Sequence, residues 1–270
     1  MSGKPCLSHA IRKALLTGEA SGKVFAARQV ARNWRLERLR FDLGEADAAS
    51  MPDRPEWPER LELLPPSQMP KRGKGGSERG RIALWHALAH IEFVAIDLAL
   101  DIVGRFGGQM GEEFASDFLG VAADEAMHFA LLDRKLGTHG SRYGALPVHD
   151  GLWQAARDTA GDVGARLAVV PMVLEARGLD VTPATRDRVA SSGDSRGAQI
   201  LQRILDDEIR HVALGTKHFS QLAAARGENP PELWRKLVES HFAGAIKPPF
   251  NDSARRSAGL SLEFYGALAS

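Results

Sequence analysis

The sequence predicts an all-α protein, a four-helix bundle with helical additions at both ends. Three observations carry that prediction. From Ser77 onward apolar residues recur with the helical period over long runs. No run alternates with the period of two that a half-buried strand requires. Glycine or proline closes each run at helix-length intervals.

Taken in order, residues 1–50 read as one or two short helices, with apolar spacing at Ile11, Leu15 and Leu16, then a basic amphipathic stretch from Val24 to Leu39. Residues 51–79 differ. Met51-Pro52, Pro55, Pro58, Pro65-Pro66 and Pro70, followed by Lys71-Arg72-Gly73-Lys74-Gly75-Gly76, make an extended segment, because proline lacks the N–H that a helix interior needs. It reads as an arm lying over the body or as a plain connection. A first long helix runs from Ser77 to about Phe106, closed by Gly107-Gly108, and a second from Gly111 to about Leu136, closed by Gly137. A third spans about Gly151 to Arg177 and stops at Gly178. Thr182-Pro183 opens a short piece ending near Ser192-Gly193, with proline just inside the helix start. The fourth runs from Ser195 to Ala225, closed by Gly227 and Pro230-Pro231. Glu232 to Phe242 is a fifth, and an irregular tail from Lys247 carries one last helix. The domains expected are an arm, 1–79, a bundle, 80–228, and an extension, 229–270. The glycine-rich turn makes helices one and two an antiparallel hairpin. The connector at 137–150, ~14 residues at ~3.3 Å each, reaches about 46 Å, more than the ~38 Å of a helix of about 25 residues, so it is long enough for a crossover.

Composition narrows the classes. The 270 residues hold 35 Lys plus Arg against 34 Asp plus Glu, so the net charge of +1 gives no global attraction to nucleic acid or membrane. The first 40 residues are nevertheless strongly basic. Arg28, Arg32, Arg35, Arg38 and Arg40 admit an acidic partner such as RNA, a reading ranked below an ordinary solvated helix face. Cys6 is the single cysteine, which excludes a disulfide framework, a thiolate zinc site and a four-cysteine cluster, and suits a reducing compartment. Ser8 to Leu16 is broken by His9, Arg12 and Lys13, unlike a signal peptide. Ile82 to Val103 contains His86, His90, Glu92, Asp97 and Asp101, too many polar groups for a lipid-facing span. The expectation is a cytoplasmic protein with no membrane partner.

Two stretches share one pattern, Asp124-Glu125-Ala126-Met127-His128 and Asp207-Glu208-Ile209-Arg210-His211. Glu and His three apart lie on one helix face. Glu92 precedes Glu125 by 33 residues, and Glu175 precedes Glu208 by 33, which suggests an internal duplication. The midpoint of 92 and 125 falls in the expected turn, which would set the two glutamates at one height. Each acid sits on an apolar stripe: Glu92 with Trp85, Ala89, Ile96 and Ala99, Glu125 with Phe118, Val121, Phe129 and Leu132, Glu175 with Pro171, Met172 and Leu179, Glu208 with Leu201, Ile204, Leu205 and Val212. Four inward carboxylates need compensation, because an unpaired buried charge costs several kcal/mol. Two divalent cations balance four carboxylates and two neutral imidazoles.

This is the ligand pattern of the di-metal carboxylate bundles. The chain from Arg81 to Ala225 resembles the ferritin-like di-metal carboxylate superfamily, and from about Glu78 to Leu260 it is similar to a bacterial ferritin-like family of unassigned function. The resemblance implies that Glu92, Glu125, His128, Glu175, Glu208 and His211 are the metal ligands, with Glu125 and Glu208 bridging. Asp124 and Asp207 resemble aspartates that orient a ligand histidine, with solvated helix acids as the plain alternative.

Carboxylate-rich sites with two imidazoles suit iron first, manganese second and zinc as a contaminant. The resulting expectation is an oxidoreductase that uses O₂ or peroxide, a small-molecule oxidant, on an unidentified substrate with an unidentified electron donor. Its catalytic residues are left open, and a homodimer is among the assemblies it allows. The rivals are iron storage or detoxification, and a helical interaction protein with a structural metal. His86 and His90, four apart, pair on one face, but Glu92 lies about 200° round the helix from His90, so all three cannot converge. His139, His149, His218 and His241 read as surface or capping residues, and Cys6 as inert.

Overall fold

A computed structural model describes residues 3–69 and 77–268. The basic glycine run from Pro70 to Gly76 lies outside the described residues. The protein is all-helical, with no strand among the described residues and two isolated bridges, Cys6 with Arg40 and Leu63 with Val148. Among those residues no helix is long and apolar enough to cross a membrane. The chain divides into two compact units, Met1–Trp153 and Gln154–Ser270.

In the N-terminal unit, α1 (Leu7–Leu15), α2 (Ala20–Arg35) and α3 (Glu45–Ala49) precede two long helices, α4 (Glu78–Met110) and α5 (Glu112–Gly137). Ser77 caps α4 by accepting from the Gly80 N–H. α1 and α3 lie on α4, α2 lies on α5, and α4 packs along α5 as a hairpin. The turn is not where glycine pairing predicts it. α4 runs through Gly107-Gly108 to Met110, and the reversal falls at Gly111, whose φ of 91° suits glycine.

Gly107 and Gly108 serve close packing instead. A Cβ at Gly108 would lie 1.6 Å from the Leu43 carbonyl oxygen, one at Gly107 2.5 Å from a Leu43 methyl, and one at Gly104 2.6 Å from the Met51 sulfur. The N-terminal arm therefore beds its backbone into a bare face of α4. Further along, Lys23 and Asp97, both fully buried, form an ion pair, and Trp57 Nε1 donates to the other Asp97 oxygen at 2.9 Å. Lys23 also donates to the Leu15 carbonyl. Burial pushes the Asp97 carboxyl up to about 6 against the pull of Lys23, and holds the Lys23 ammonium below its usual range. Removing one partner of such a pair costs about 3–5 kcal/mol.

In the C-terminal unit, which α6 (Gly151–Asp158) enters, α7 (Val163–Val169) leads through a π-helical turn, Val170–Glu175, into α8 (Ala176–Ser191). α9 (Ser195–Ala225), α10 (Pro230–His241), α11 (Asp252–Ser257) and α12 (Leu262–Tyr265) complete the unit. The single third helix expected over 151–177 is broken at 159–162. Buried Arg166 donates to the Thr159 hydroxyl and the Ala156 carbonyl, satisfying the end of α6. Asp162 then caps α7 through the Gly164 N–H.

Nor does the chain restart at Thr182-Pro183. Pro183 lies inside α8, where its missing N–H leaves the Leu179 carbonyl without its helical donor. The Asn251 side chain donates to that carbonyl at 3.1 Å, so the tail repairs the helix. Gly178, expected as a stop, is likewise interior to α8. α9 has the predicted bounds, with Asp194 capping Gly197.

Candidate metal centre

The N-terminal unit brings three of its predicted residues together. Glu92, Glu125 and His128 are all buried and each offers a ligand atom within 4.8 Å of the others. His128 Nδ1 lies 3.2 Å from Oε2 of Glu92 and 3.4 Å from Oε2 of Glu125. Glu92 and Glu125 come within reach of one another across the hairpin, in keeping with the expected pairing. His128, one turn beyond Glu125 on α5, also meets Glu92 directly. Trp85, Ala89, Ile96 and Ala99 around Glu92, and Phe118, Val121, Phe129 and Leu132 around Glu125, are buried as the stripes predict.

Burial, and next the charge of Glu125, push the Glu92 carboxyl well above the usual carboxylate range, against the pull of His128. A cation between the two carboxylates would reverse that balance, since it favours both charged forms. This buried acidic and histidine cluster could hold a metal ion.

The C-terminal unit brings together one pair of its predicted residues. Glu208 and His211 share one face of α9, with His211 Nδ1 3.5 Å from Oε1 of Glu208, and both are buried. Glu175 is the last residue of the π turn and half-buried, with one carboxylate oxygen shut off from solvent. The turn contains Pro171, whose ring leaves no room opposite: a Cβ at Gly215 of α9 would lie 2.5 Å from the Pro171 Cβ. A π turn adds a residue to the helical round and re-aims the side chains beyond it, so Glu175 is presented by different backbone from Glu92.

The two flanking aspartates also differ. Asp207 is buried and accepts from Arg203 Nε at 2.6 Å and from Arg210 at 2.7 Å, so the arginine inside the motif neutralises it. Asp124 is half-buried on α5.

Two histidines that helix geometry separates from Glu92 have defined roles beside the first cluster. His86 Nε2 accepts from the Gly144 N–H at 2.9 Å. His90 Nε2 meets the His149 carbonyl at 3.0 Å and its Nδ1 meets the Tyr143 hydroxyl at 2.8 Å. A carbonyl only accepts, so Nε2 of His90 carries the proton and Tyr143 donates to Nδ1. Burial lowers both imidazoles to about 4. They pin the 138–150 segment to α4, and the four-residue spacing is the only sequence signal for it.

His139 pairs with Glu78 at 2.8 Å and His149 caps α6 by accepting from Gly151, in line with the surface and capping roles expected of them. His218 departs from that expectation, since it is buried on α9 seven residues after His211 and so on the same stripe. Cys6 is half-buried and free, and the arginines of the basic arm are exposed or half-exposed, Arg40 at its end included.

Comparison with known proteins places the chain in a family. It is 40% identical over 211 residues, 76% of this chain and 73% of the other, to a protein of Haemophilus influenzae described as "Uncharacterized protein". No solved structure matches it. A family model described as "Protein of unknown function (DUF455)" matches residues 16–266, nearly the whole chain, and the protein belongs to that family.

Proposed function

We propose that this protein is a di-metal carboxylate oxidoreductase of ferritin-like architecture, with Glu92, Glu125 and His128 supplying one half of the ligand set and Glu175, Glu208 and His211 the other. The observation that carries the reading is the buried cluster of Glu92, Glu125 and His128, in a chain that repeats the same Glu, 33 residues, Glu-x-x-His spacing. The donor set fits the group. Hard carboxylates and imidazoles suit Fe²⁺ first and Mn²⁺ second, with Zn²⁺ as a contaminant. When bound, such a pair of ions supplies the redox equivalents for using O₂ or peroxide on an organic substrate.

The chain's own residues do the rest. The apolar stripes of α4 and α5 exclude water from the carboxylates, which strengthens every charge interaction among them. His128 holds the Glu92 carboxylate in place through its Nδ1. Arg203 and Arg210 fix Asp207 at the start of the second motif, so that face of α9 has one arrangement.

The test is metal content after purification without chelators, then an optical spectrum as O₂ is admitted to the Fe²⁺-loaded protein. About two ions per chain are expected, the stoichiometry of di-metal carboxylate bundles, with a new near-ultraviolet charge-transfer band. Glu125→Ala and His211→Ala should each abolish stoichiometric loading, and Glu92→Ala should reduce it less. Unchanged loading in both of the first two variants would overturn the ligand assignment. Loading with no response to O₂ or peroxide would replace the enzyme with a structural metal.

A further inference from the structure

The C-terminal unit contains a cavity of about 230 Å³ between the π turn and the segment after α10. Its apolar wall comes from Met172 and Val173 of the turn and from Phe242, Ile246 and Phe250. Arg177, Lys247 and Arg255 also line it, with Asp180 as the one carboxylate.

Asp180 is fully committed. It accepts from Arg255 Nε at 2.8 Å and from an Arg255 terminal nitrogen at 2.7 Å, and from the Asn251 N–H at 2.9 Å, with Arg177 3.5 Å away. Arg255 is only 3% exposed and is held between the rings of Phe250 and Tyr265, 5.1 and 4.5 Å from their centroids. Its other terminal nitrogen meets no hydrogen-bond partner among the described residues. Arg177 donates through one nitrogen to the carbonyls of Lys247 and Pro249, which fixes the cavity rim, and its other nitrogens meet no hydrogen-bond partner among the described residues. The cavity thus carries an excess of fixed positive charge against an aromatic and aliphatic wall.

The geometry points to a binding site for a small organic acid, its carboxylate met by Arg177, Lys247 and Arg255 and its aryl or branched-alkyl body seated against Met172, Phe242 and Ile246. Two positive groups remain after Asp180 has neutralised one, so a monoanion is attracted and a cation is not. Packing sets the size. A dry cavity of ~150 Å³ accepts benzene with its six carbons, so about 230 Å³ accommodates on the order of nine heavy atoms, the size of benzoate. The cavity wall is the turn that ends at Glu175, which places the ligand one residue from a proposed metal ligand. As the substrate class of the proposed reaction the inference rests on that reading; as a binding site it does not.

The experiment is titration of benzoate into the metal-free full-length protein, monitored by calorimetry. Saturable one-to-one binding is expected, with the neutral isostere benzamide at least about tenfold weaker, the value of a charge-assisted hydrogen bond. Lys247→Gln, at an exposed position, should weaken benzoate several-fold. Ala245→Trp, also exposed on the rim, should abolish binding with an unchanged melting temperature. Absence of saturable binding to the wild type, equal affinity for benzamide, or unchanged binding to Ala245→Trp would overturn the site. Inorganic phosphate binding as tightly as benzoate would overturn the apolar half of the assignment. The readout needs no metal, so its failure leaves the metal-content test standing, and a protein that binds benzoate but takes up no metal would separate the two.

Discussion

The two repeats of Glu, 33 residues, Glu-x-x-His have the same spacing, and their leading glutamates stand on different backbones. In the N-terminal unit, Glu92 and Glu125 stand on two uninterrupted helices joined by one glycine, and Glu92 meets His128 directly. In the C-terminal unit, the corresponding Glu175 ends a π turn that contains Pro171, and Asn251 replaces a donor that Pro183 removes from the helix that follows. A 33-residue repeat therefore does not imply repeated geometry. The leading glutamate of the first repeat is held by regular helix packing, whereas that of the second precedes a helix whose proline gap the Asn251 side chain repairs.

That contrast can be broken at defined positions. The largest effect is expected at Gly108, where a methyl group meets the Leu43 backbone and not a movable side chain. Gly108→Ala should destabilise by roughly 3 kcal/mol, a fall of about 10 °C in Tm by scanning calorimetry. A loss under about 1 kcal/mol, within the range of ordinary surface substitutions and small repacking, would show that the arm is not seated there.

Acid should act through His86 and His90, which lie beside the first motif. Below the unfolded value of 6.5 the unfolded chain takes up a proton that the folded imidazole refuses until about 4. Stability therefore falls as pH falls through that window, by on the order of 3 kcal/mol for His90. Glu92, whose carboxyl is raised, contributes with the opposite sign, gaining stability as pH falls. The difference between wild type and His90→Gln isolates the histidine. Denaturant melts should show a shallower acid slope in the variant, and parallel slopes would refute the assignment.

A smaller effect is expected at Gly215, which faces the rigid Pro171 ring. Gly215→Ala should cost about 1–2 kcal/mol and lower metal loading through the turn that ends at Glu175. The smallest should be of opposite sign. Gly178 is helical with nothing within 4 Å of an added Cβ, so Gly178→Ala should stabilise by about 0.5–1 kcal/mol. A loss there would mean that α8 needs its glycine.

The helical class, the stripes and the bounds of α9 were legible because periodicity and capping are local. The glycine pair at 107–108 was not. Glycine marks both chain reversal and close approach, and only the position of Leu43, more than 60 residues earlier, decides between them. Thr182-Pro183 has the look of a helix start because its repair comes from Asn251, which no local pattern reveals. His86 and His90 are poor metal ligands for a sound geometric reason, yet their role as anchors depends on Tyr143 and His149. The buried Lys23 was invisible for the same reason, its partner Asp97 being 74 positions away. Of the candidate site, the meeting of Glu92, Glu125 and His128 was legible, while the π turn that ends at Glu175 was not.

The bare face of α4 bears on how the chain is made and divided. Three glycines in its last two turns each weaken a helix by about 1 kcal/mol relative to alanine, and Leu43 and Met51, both nearly fully buried, offset that by covering them. During synthesis the arm leaves the ribosome first and waits for the helix that it will complete. A shortened protein beginning at Ser77 would keep every proposed metal ligand and still lose the end of α4, so its hairpin would fray at Gly111 before any ligand is touched.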